Sequence, residues 1–435
     1  MMQAAHTLGI VFFPAYDWAI SPTHPEREER LLYTQDQFRE EGLFDIAGIS
    51  EHRPLRATDQ DILRTHFCFP NLAAVCSESH RISAGGAMRA AQLVLERQSE
   101  RAFALVRPPG HHAMKVVHAN RGFCNINNEA VMLAWLRRHY GLKRIAIVDT
   151  DCHHGDGTQD IFWHDPDTLF ISLHQDGRTL YPGSGFPHED GGPKARGRTI
   201  NIPLPPLTGD TGYLQVIEQA VLPILEDFKP ELLINSAGQD NHYSDPITNM
   251  NFSAQGYARL TALLKPDIAV LEGGYAIKSA LPYVNLGIAL AMAGCDYSAV
   301  REPDYLPGRY EESRNLMLAI DYLCELAKKT YFSPEPQDCI REQGFFIRER
   351  RIYYDTDDVS EVQREELRDC SNCPGCRIIR SASSRSGPCL GVEIPENACH
   401  RCESEALALF QRKNDGFGSA QLMDHKNQVY TYRQQ

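Results

Sequence analysis

The chain has 435 residues, too many for one small core, and the length fits a domain of about 300 residues with an appendage. Lysine and arginine number 44 against 57 acidic residues, a formal net charge of −13 with a pI near 5.7, which argues against general nucleic-acid affinity. No apolar stretch reaches membrane-spanning length, so the expectation is a soluble, cytoplasmic protein with no membrane partner.

Taken in chain order, residues 1–19 carry an apolar patch without a basic leader, and read as a first strand and not as a signal peptide. The run His24-Pro-Glu-Arg-Glu-Glu-Arg30 reads as solvated helix charge. Residues 102–106 (Ala-Phe-Ala-Leu-Val) form a short buried strand that leads into Arg107-Pro-Pro-Gly-His111-His112. A helix is expected at 128–139. The strand at 144–148 (Arg-Ile-Ala-Ile-Val) ends in Asp149-Thr-Asp151-Cys-His153-His-Gly-Asp156-Gly157. Strands at 169–173, 231–235 and 267–271 lead into His174-Gln-Asp-Gly177, Ser236-Ala-Gly-Gln-Asp240 and Glu272-Gly273-Gly274-Tyr275. Helices at 211–228 and 253–264 lie between them. Such alternation predicts right-handed crossovers and a mostly parallel sheet, with these loops gathered at the carboxyl ends of its strands.

Asp151 and His153 are two apart, so in extended chain both face the same side and can bind one cation. With Asp240 they make two carboxylates and one imidazole, a set that leaves coordination positions open for water and substrate. His111 and His112 follow a rigid Pro-Pro-Gly turn, and Asp149 and Asp156 are available to orient them. Gly273 and Gly274 let the backbone pass close to a ligand, and Tyr275 directly after them can donate to a developing oxyanion.

These segments, together with Gly122-Phe-Cys-Asn-Ile-Asn-Asn128, Ser172-Leu-His174 and Tyr181-Pro-Gly183, come in an order that resembles the histone deacetylase superfamily over about residues 8–300. The Arg-Pro-Pro-Gly and Leu-Glu-Gly-Gly-Tyr forms resemble its class II and bacterial branch. The resemblance implies an α/β, three-layer arginase/deacetylase-like fold and a zinc-dependent hydrolase of linear amides. It further implies that Asp151, His153 and Asp240 hold the zinc. His112 would serve as general base and then acid, and His111 as its electrostatic partner. Asp149 would stand behind His111 and Asp156 behind His112, and Tyr275 would stabilise the tetrahedral intermediate. Gly122, Phe123 and Tyr181 would line the acyl-lysine channel beside Gly273 and Gly274. A monovalent cation such as K+ would sit at Asp149, Asp151, His153, Ser172 and Leu173, and a second near Phe162, Asp165 and Thr168. Ile247 falls at the gatekeeper position of the channel mouth, where polyamine deacetylases carry Glu, so an apolar residue argues against polyamines. Glu78 is the candidate for the surface acid that grips the substrate backbone. Arg30 resembles an arginine near the acetate exit.

A boundary is expected near Ser333-Pro-Glu-Pro336, after a helix at 311–329, giving a catalytic domain at 1–332 and a cysteine-rich region at 333–435. Seven of the thirteen cysteines are scattered singly through residues 1–340 and read as buried small residues in a reducing compartment. Six lie in the tail: Cys370, Cys373, Cys376, Cys389, Cys399 and Cys402, with His400 among them. Cys373-x2-Cys376 and Cys399-x2-Cys402 have zinc-ribbon-like spacing, which leaves open a structural zinc, an iron–sulfur or redox role, or plain thiols. Apart from the basic run 377–385 the tail balances its charges, as befits a docking or dimerisation module.

The leading expectation is a deacylase acting on an acylated lysine peptide or protein. Its alternatives are a deacetylase of a small acylated amine or other amide metabolite, a catalytically idle acyl-lysine binder working through its tail, and a two-manganese ureohydrolase.

Overall fold

Short β-branched runs that bury both faces assemble into one parallel sheet. The computed structural model describes residues 3–15, 18–21, 23–306, 308, 310–335, 339–412 and 415–434; Pro336 of the expected boundary lies outside them. The strands are β1 (Gln3–Phe13), β2 (Ala47–His52), β3 (Phe67–Cys68), β4 (Arg101–Val106), β5 (Val116–Val117), β6 (Ile145–Asp149), β7 (Thr168–Gln175), β8 (Thr199–Leu204), β9 (Leu232–Ala237) and β10 (Ile268–Leu271). Eight of them form a sheet in the order β2-β1-β4-β10-β9-β6-β7-β8, parallel throughout, while β3 and β5 pair separately.

Alternate side chains feed two cores, one on each face of the sheet. On β6, Ala146 and Val148 join one core, and Ile145 and Ile147 the other. Helices cover both faces, which makes the three layers. Asn128–Tyr140 starts with the Asn127 side chain accepting the Ala130 N–H at 2.8 Å, and Ser253 caps Ala254–Leu264. The helix expected at 211–228 is two pieces, Asp210–Val216 and Leu222–Phe228, joined by a wider turn at Ile217–Val221. Pro223 near the start of the second piece has no N–H to give, and the wider turn accommodates its ring. Ser313 caps the long helix Arg314–Phe332. None of the helices among the described residues is long and apolar enough to cross a membrane.

Beyond that helix the chain forms a second sheet. Its strands β11 (Ile340–Glu342), β12 (Phe345–Tyr354), β13 (Val359–Arg368), β14 (Arg377–Ser383), β15 (Gly387–Ile394), β16 (Ser419–Asp424) and β17 (Val429–Gln434) lie in sequence order. All neighbours are antiparallel except β15 and β16, which the helix His400–Phe410 connects in parallel.

This sheet packs on the first part of the chain through buried charges as much as through apolar contacts. Phe67, Phe69 and Val116 meet Ile379, Cys389 and Met423. Lys115 Nζ is 3.0 Å from Glu393 Oε1, and Arg348 and Arg350 both pair with Asp160. Within the basic run, Arg377 is buried between Glu393 and Glu365, Arg380 pairs with Glu366, and Arg385 stays exposed beside Asp357. Five of the seven scattered cysteines are buried; Cys295 and Cys339 are partly exposed.

Candidate active site

Four neighbouring strands, β4, β10, β9 and β6, end beside one another, and each delivers part of the site from the loop at its carboxyl end. β4 brings His111 and His112. Their loop is locked by Glu272, whose Oε2 accepts the N–H groups of Gly110 at 2.7 Å and His111 at 3.0 Å. β6 brings Asp149, Asp151, His153 and Asp156, β9 brings Asp240, and β10 brings Tyr275.

Asp151, His153 and Asp240 converge, with one donor atom from each within 4.8 Å of the others, and all three are buried. His153 Nδ1 lies 3.1 Å from Asp151 Oδ1 and 2.8 Å from Asp240 Oδ2. Burial opposes charge on the ring, but Asp240 and Asp151 outweigh it and push His153 up to about 10. Two buried carboxylates facing one ring nitrogen are costly unless a cation joins them, and this donor set fits a divalent metal. The remaining oxygens are held in place. Asp151 Oδ2 accepts the Gly273 N–H at 2.6 Å, and Asp240 Oδ1 accepts the Cys152 N–H at 2.7 Å. Gly273 is required here, because a Cβ would collide with both carboxylates.

The two histidines are set differently. His111 Nδ1 is 3.1 Å from Asp149 Oδ2; burial works against its charge, yet Asp151 and Asp149 hold the ring well above the usual histidine range. His112 Nδ1 is 2.8 Å from Asp156 Oδ1, and burial, reinforced by His111, pushes His112 down to about 4. Arg121 donates from Nε to Asp156 Oδ2 at 3.1 Å and, against the effect of burial, keeps that acid ionised. So one ring favours its charged form and its neighbour the neutral form, with centroids 4.1 Å apart.

Tyr275 is 7% exposed, and burial raises its hydroxyl well above the usual tyrosine range. Its N–H donates to Asp245 Oδ2 at 2.7 Å. Phe123 meets it edge-on at 5.7 Å, and Tyr181 meets the His112 ring at 5.2 Å. Gly122 has φ +50°, and a Cβ there would strike the His112 ring. Gly274, at φ +120°, makes the turn before Tyr275. Ile247 is 37% exposed, and its N–H donates to Asp245 Oδ1 at 3.1 Å.

Other expectations divide. Asp149 pairs in register with Ser172, but its oxygens take the Asp151 N–H and His111, and the Leu173 carbonyl accepts the Tyr213 hydroxyl at 3.2 Å. Around Phe162, Asp165 and Thr168 a cation is already present: Arg137 pairs with Asp165 and donates to Thr168 Oγ1 at 2.9 Å, while the Phe162 carbonyl accepts the Asp165 N–H. Glu78 is tied to Arg56 at the surface.

Arg30 is a correction. It is not solvated but fully buried, paired with Glu26 and donating to the Gly274 carbonyl at 2.8 Å, with its guanidinium 4.9 Å from the Tyr275 ring centre. Its surroundings in sequence are charged, whereas its surroundings in space are Glu26 and two backbone carbonyls. The spacing of Glu26 and Arg30, four apart on what becomes a helix start, was the available signal. Glu272, Asp245 and Arg121 were also not singled out.

In the tail, Cys370, Cys373, Cys399 and Cys402 bring their sulfurs within 4.8 Å of one another. The expected knuckle Cys373-x2-Cys376 is thereby replaced by Cys370-x2-Cys373. Cys376, directly before β14, and Cys389, on β15, are buried in apolar clusters, and His400 is outside the group.

The family model described as the histone deacetylase domain matches residues 67–286. A probable deacetylase of Archaeoglobus fulgidus is 48% identical over 328 residues, covering 69% of this chain and 90% of the relative. A histone deacetylase-like amidohydrolase of Pseudomonas aeruginosa is 33% identical over 311 residues, 64% of this chain and 78% of its own. Among solved structures, the HDA15 HD domain matches with a TM-score of 0.65 and 27% identity, over 75% of this chain and 97% of that one.

Proposed function

The chain belongs to the histone deacetylase family of amide hydrolases, and we propose that it is a metal-dependent deacylase that removes acetyl or a related acyl group from a lysine side chain or lysine-like amine. One observation carries this reading: His153 Nδ1 faces Asp151 and Asp240 at 3.1 and 2.8 Å, directly beside His111 and His112, each held at Nδ1 by its own acid.

When bound by Asp151, His153 and Asp240, a divalent cation such as zinc supplies Lewis acidity to the amide carbonyl and to the attacking water. The rest belongs to the chain's own residues. Asp156 holds the Nδ1–H tautomer of His112, so its Nε2 is free to take a proton from water and return it to the leaving amine. His111, held at Nδ1 by Asp149, stands with its ring 4.1 Å from that of His112 as its electrostatic partner. Tyr275 stays protonated and donates to the carbonyl oxygen as negative charge builds there. Phe123 and Tyr181 provide walls for the alkyl chain of the acyl-lysine. The partly exposed Ile247 puts an apolar side chain at the mouth, which favours a lysine carrier over a polycation.

A second zinc, structural, belongs to the same reading. Tetrahedral zinc with Zn–S bonds of about 2.3 Å requires sulfurs about 3.8 Å apart, whereas a disulfide needs about 2.05 Å. Cys370 Sγ and Cys399 Sγ are 3.8 Å apart, and the Asn372 N–H donates to Cys370 Sγ at 3.4 Å. All thirteen cysteines are unpaired, in keeping with a reducing cytoplasm.

The test is a panel of acyl-lysine peptides against acylated polyamines. Faster release from the peptides supports the lysine reading. Faster release from the polyamines, or from neither class, overturns it.

A further inference from the structure

The segment just before the channel residue Phe123 is held by the C-terminal sheet at three consecutive residues. Asp357 Oδ2 accepts the Asn120 N–H at 2.9 Å, the Tyr353 carbonyl accepts from Arg121, and Asp355 Oδ1 accepts the Gly122 N–H at 3.0 Å. All three acceptors lie in or beside the turn between β12 and β13. The same oxygen of Asp355 accepts the hydroxyl of Tyr181 at 2.8 Å. One carboxylate therefore ties together both walls expected of the acyl channel, although it lies 174 residues from Tyr181 in sequence.

The held segment needs such support. Gly122 and Phe123 both have positive φ, +50° and +68°, and a phenylalanine rarely adopts that conformation without surrounding contacts. Arg121, anchored by the Tyr353 carbonyl, reaches on to Asp156 and so to His112, and its guanidinium lies 5.6 Å from the Tyr181 ring centre. On the helix Asp156–Phe162 that begins with this acid, Asp160 is gripped by Arg348 and Arg350 of β12.

We propose that the C-terminal sheet is a working part of the active site, with Asp355 as the positioning residue that sets the channel through the Tyr181 hydroxyl and the Gly122 N–H. This deepens, and rests on, the reading of Phe123 and Tyr181 as channel walls. Asp355 acts on how substrate is held and not on proton transfer, because His112, Asp156 and Tyr275 keep their own partners without it. Loss of the carboxylate frees the Tyr181 ring and relaxes the strained loop, so KM rises while kcat is nearly kept.

The experiment uses the full chain and the acyl-lysine peptide that it hydrolyses fastest. Asp355→Ala is expected to raise KM about tenfold with kcat within about threefold. Asp355→Asn keeps an accepting oxygen and is expected to restore most of the loss. Tyr181→Phe combined with Asp355→Ala is expected to cost about as much as Asp355→Ala alone, and not the product of the two. A tail that serves only to dock would lose melting temperature in Asp355→Ala with KM unchanged, and that result, or multiplicative effects in the double variant, overturns the proposal. If the unaltered chain hydrolyses no amide, the deacylase reading fails separately. Amide exchange at Gly122 then decides: at least tenfold faster exchange in Asp355→Ala supports the link, and equal exchange overturns it.

Discussion

His112 Nδ1 lies 2.8 Å from Asp156 Oδ1, and the other oxygen of that carboxylate accepts from Arg121. The guanidinium keeps the acid charged, the acid fixes the tautomer of the ring, and burial with the nearby His111 charge keeps the ring neutral. In its proposed role as base, the ring stays ready at pH values where an ordinary histidine is protonated.

A pH dependence follows. In the proposed mechanism the active form of His112 is the neutral one, and its pKa is pushed down to about 4, so activity is expected to persist as pH falls through 6.5. We expect kcat/KM to be level from neutral pH to about 5 and to fall below that. An acid limb centred at 6.5 or higher in the kcat/KM profile would remove this account of His112.

Tyr275→Phe is expected to lower kcat by about 10² to 10³-fold, the usual cost of one oxyanion donor. Bound metal and melting temperature should be unchanged, since the Tyr275 backbone N–H, and not its hydroxyl, holds Asp245. Full turnover by the variant would exclude the hydroxyl from the reaction.

Metal content separates the two donor groups. The unaltered chain is expected to carry two metal ions, and Cys373→Ser one, with a lower melting temperature. Elemental analysis of both proteins checks this; an equal count in the two would show that the four sulfurs hold no metal.

Stability should depend on pH through His66. Its ring is fully buried, with Nδ1 facing the Met114 carbonyl and Nε2 accepting the Asn127 N–H at 3.0 Å, so only the neutral ring fits. Burial lowers its pKa from 6.5 to about 3. The unfolded chain therefore binds the extra proton, and stability is complete above pH 6.5 and declines between there and about 3, by up to about 1.4 kcal/mol per unit from this residue. Urea melts at pH 7 and pH 5 read the effect. His66→Gln should be less stable at pH 7 and less sensitive to acid; an unchanged slope would contradict the assignment.

Much of the sheet and the site was legible in the sequence because each strand there announces itself twice. The run Ile-Ala-Ile-Val is apolar at every position, and acids and histidines follow at once. Residues that act through distant partners left weaker marks. Arg30 sits among charges in sequence and among carbonyls in space. Glu272 reads as part of a glycine turn until its oxygen is found on two N–H groups 161 and 162 residues away. The second sheet was harder still. Its strands are rich in charge, and several of those charges find partners only after the sheet packs on the first part of the chain, as Arg348 and Arg350 do with Asp160. The four metal-type sulfurs likewise depend on which of two overlapping Cys-x2-Cys spacings the turn before β14 leaves outside the core.

Metal-dependent deacylation is read from hydrolysis of an acyl-lysine peptide by the full chain as purified, after removal of metal with a chelator, and after return of zinc. Turnover, its loss, and its recovery in step with refilling of one site per chain are the expected results of metal dependence. Turnover that survives complete removal of metal from Asp151, His153 and Asp240 would contradict it.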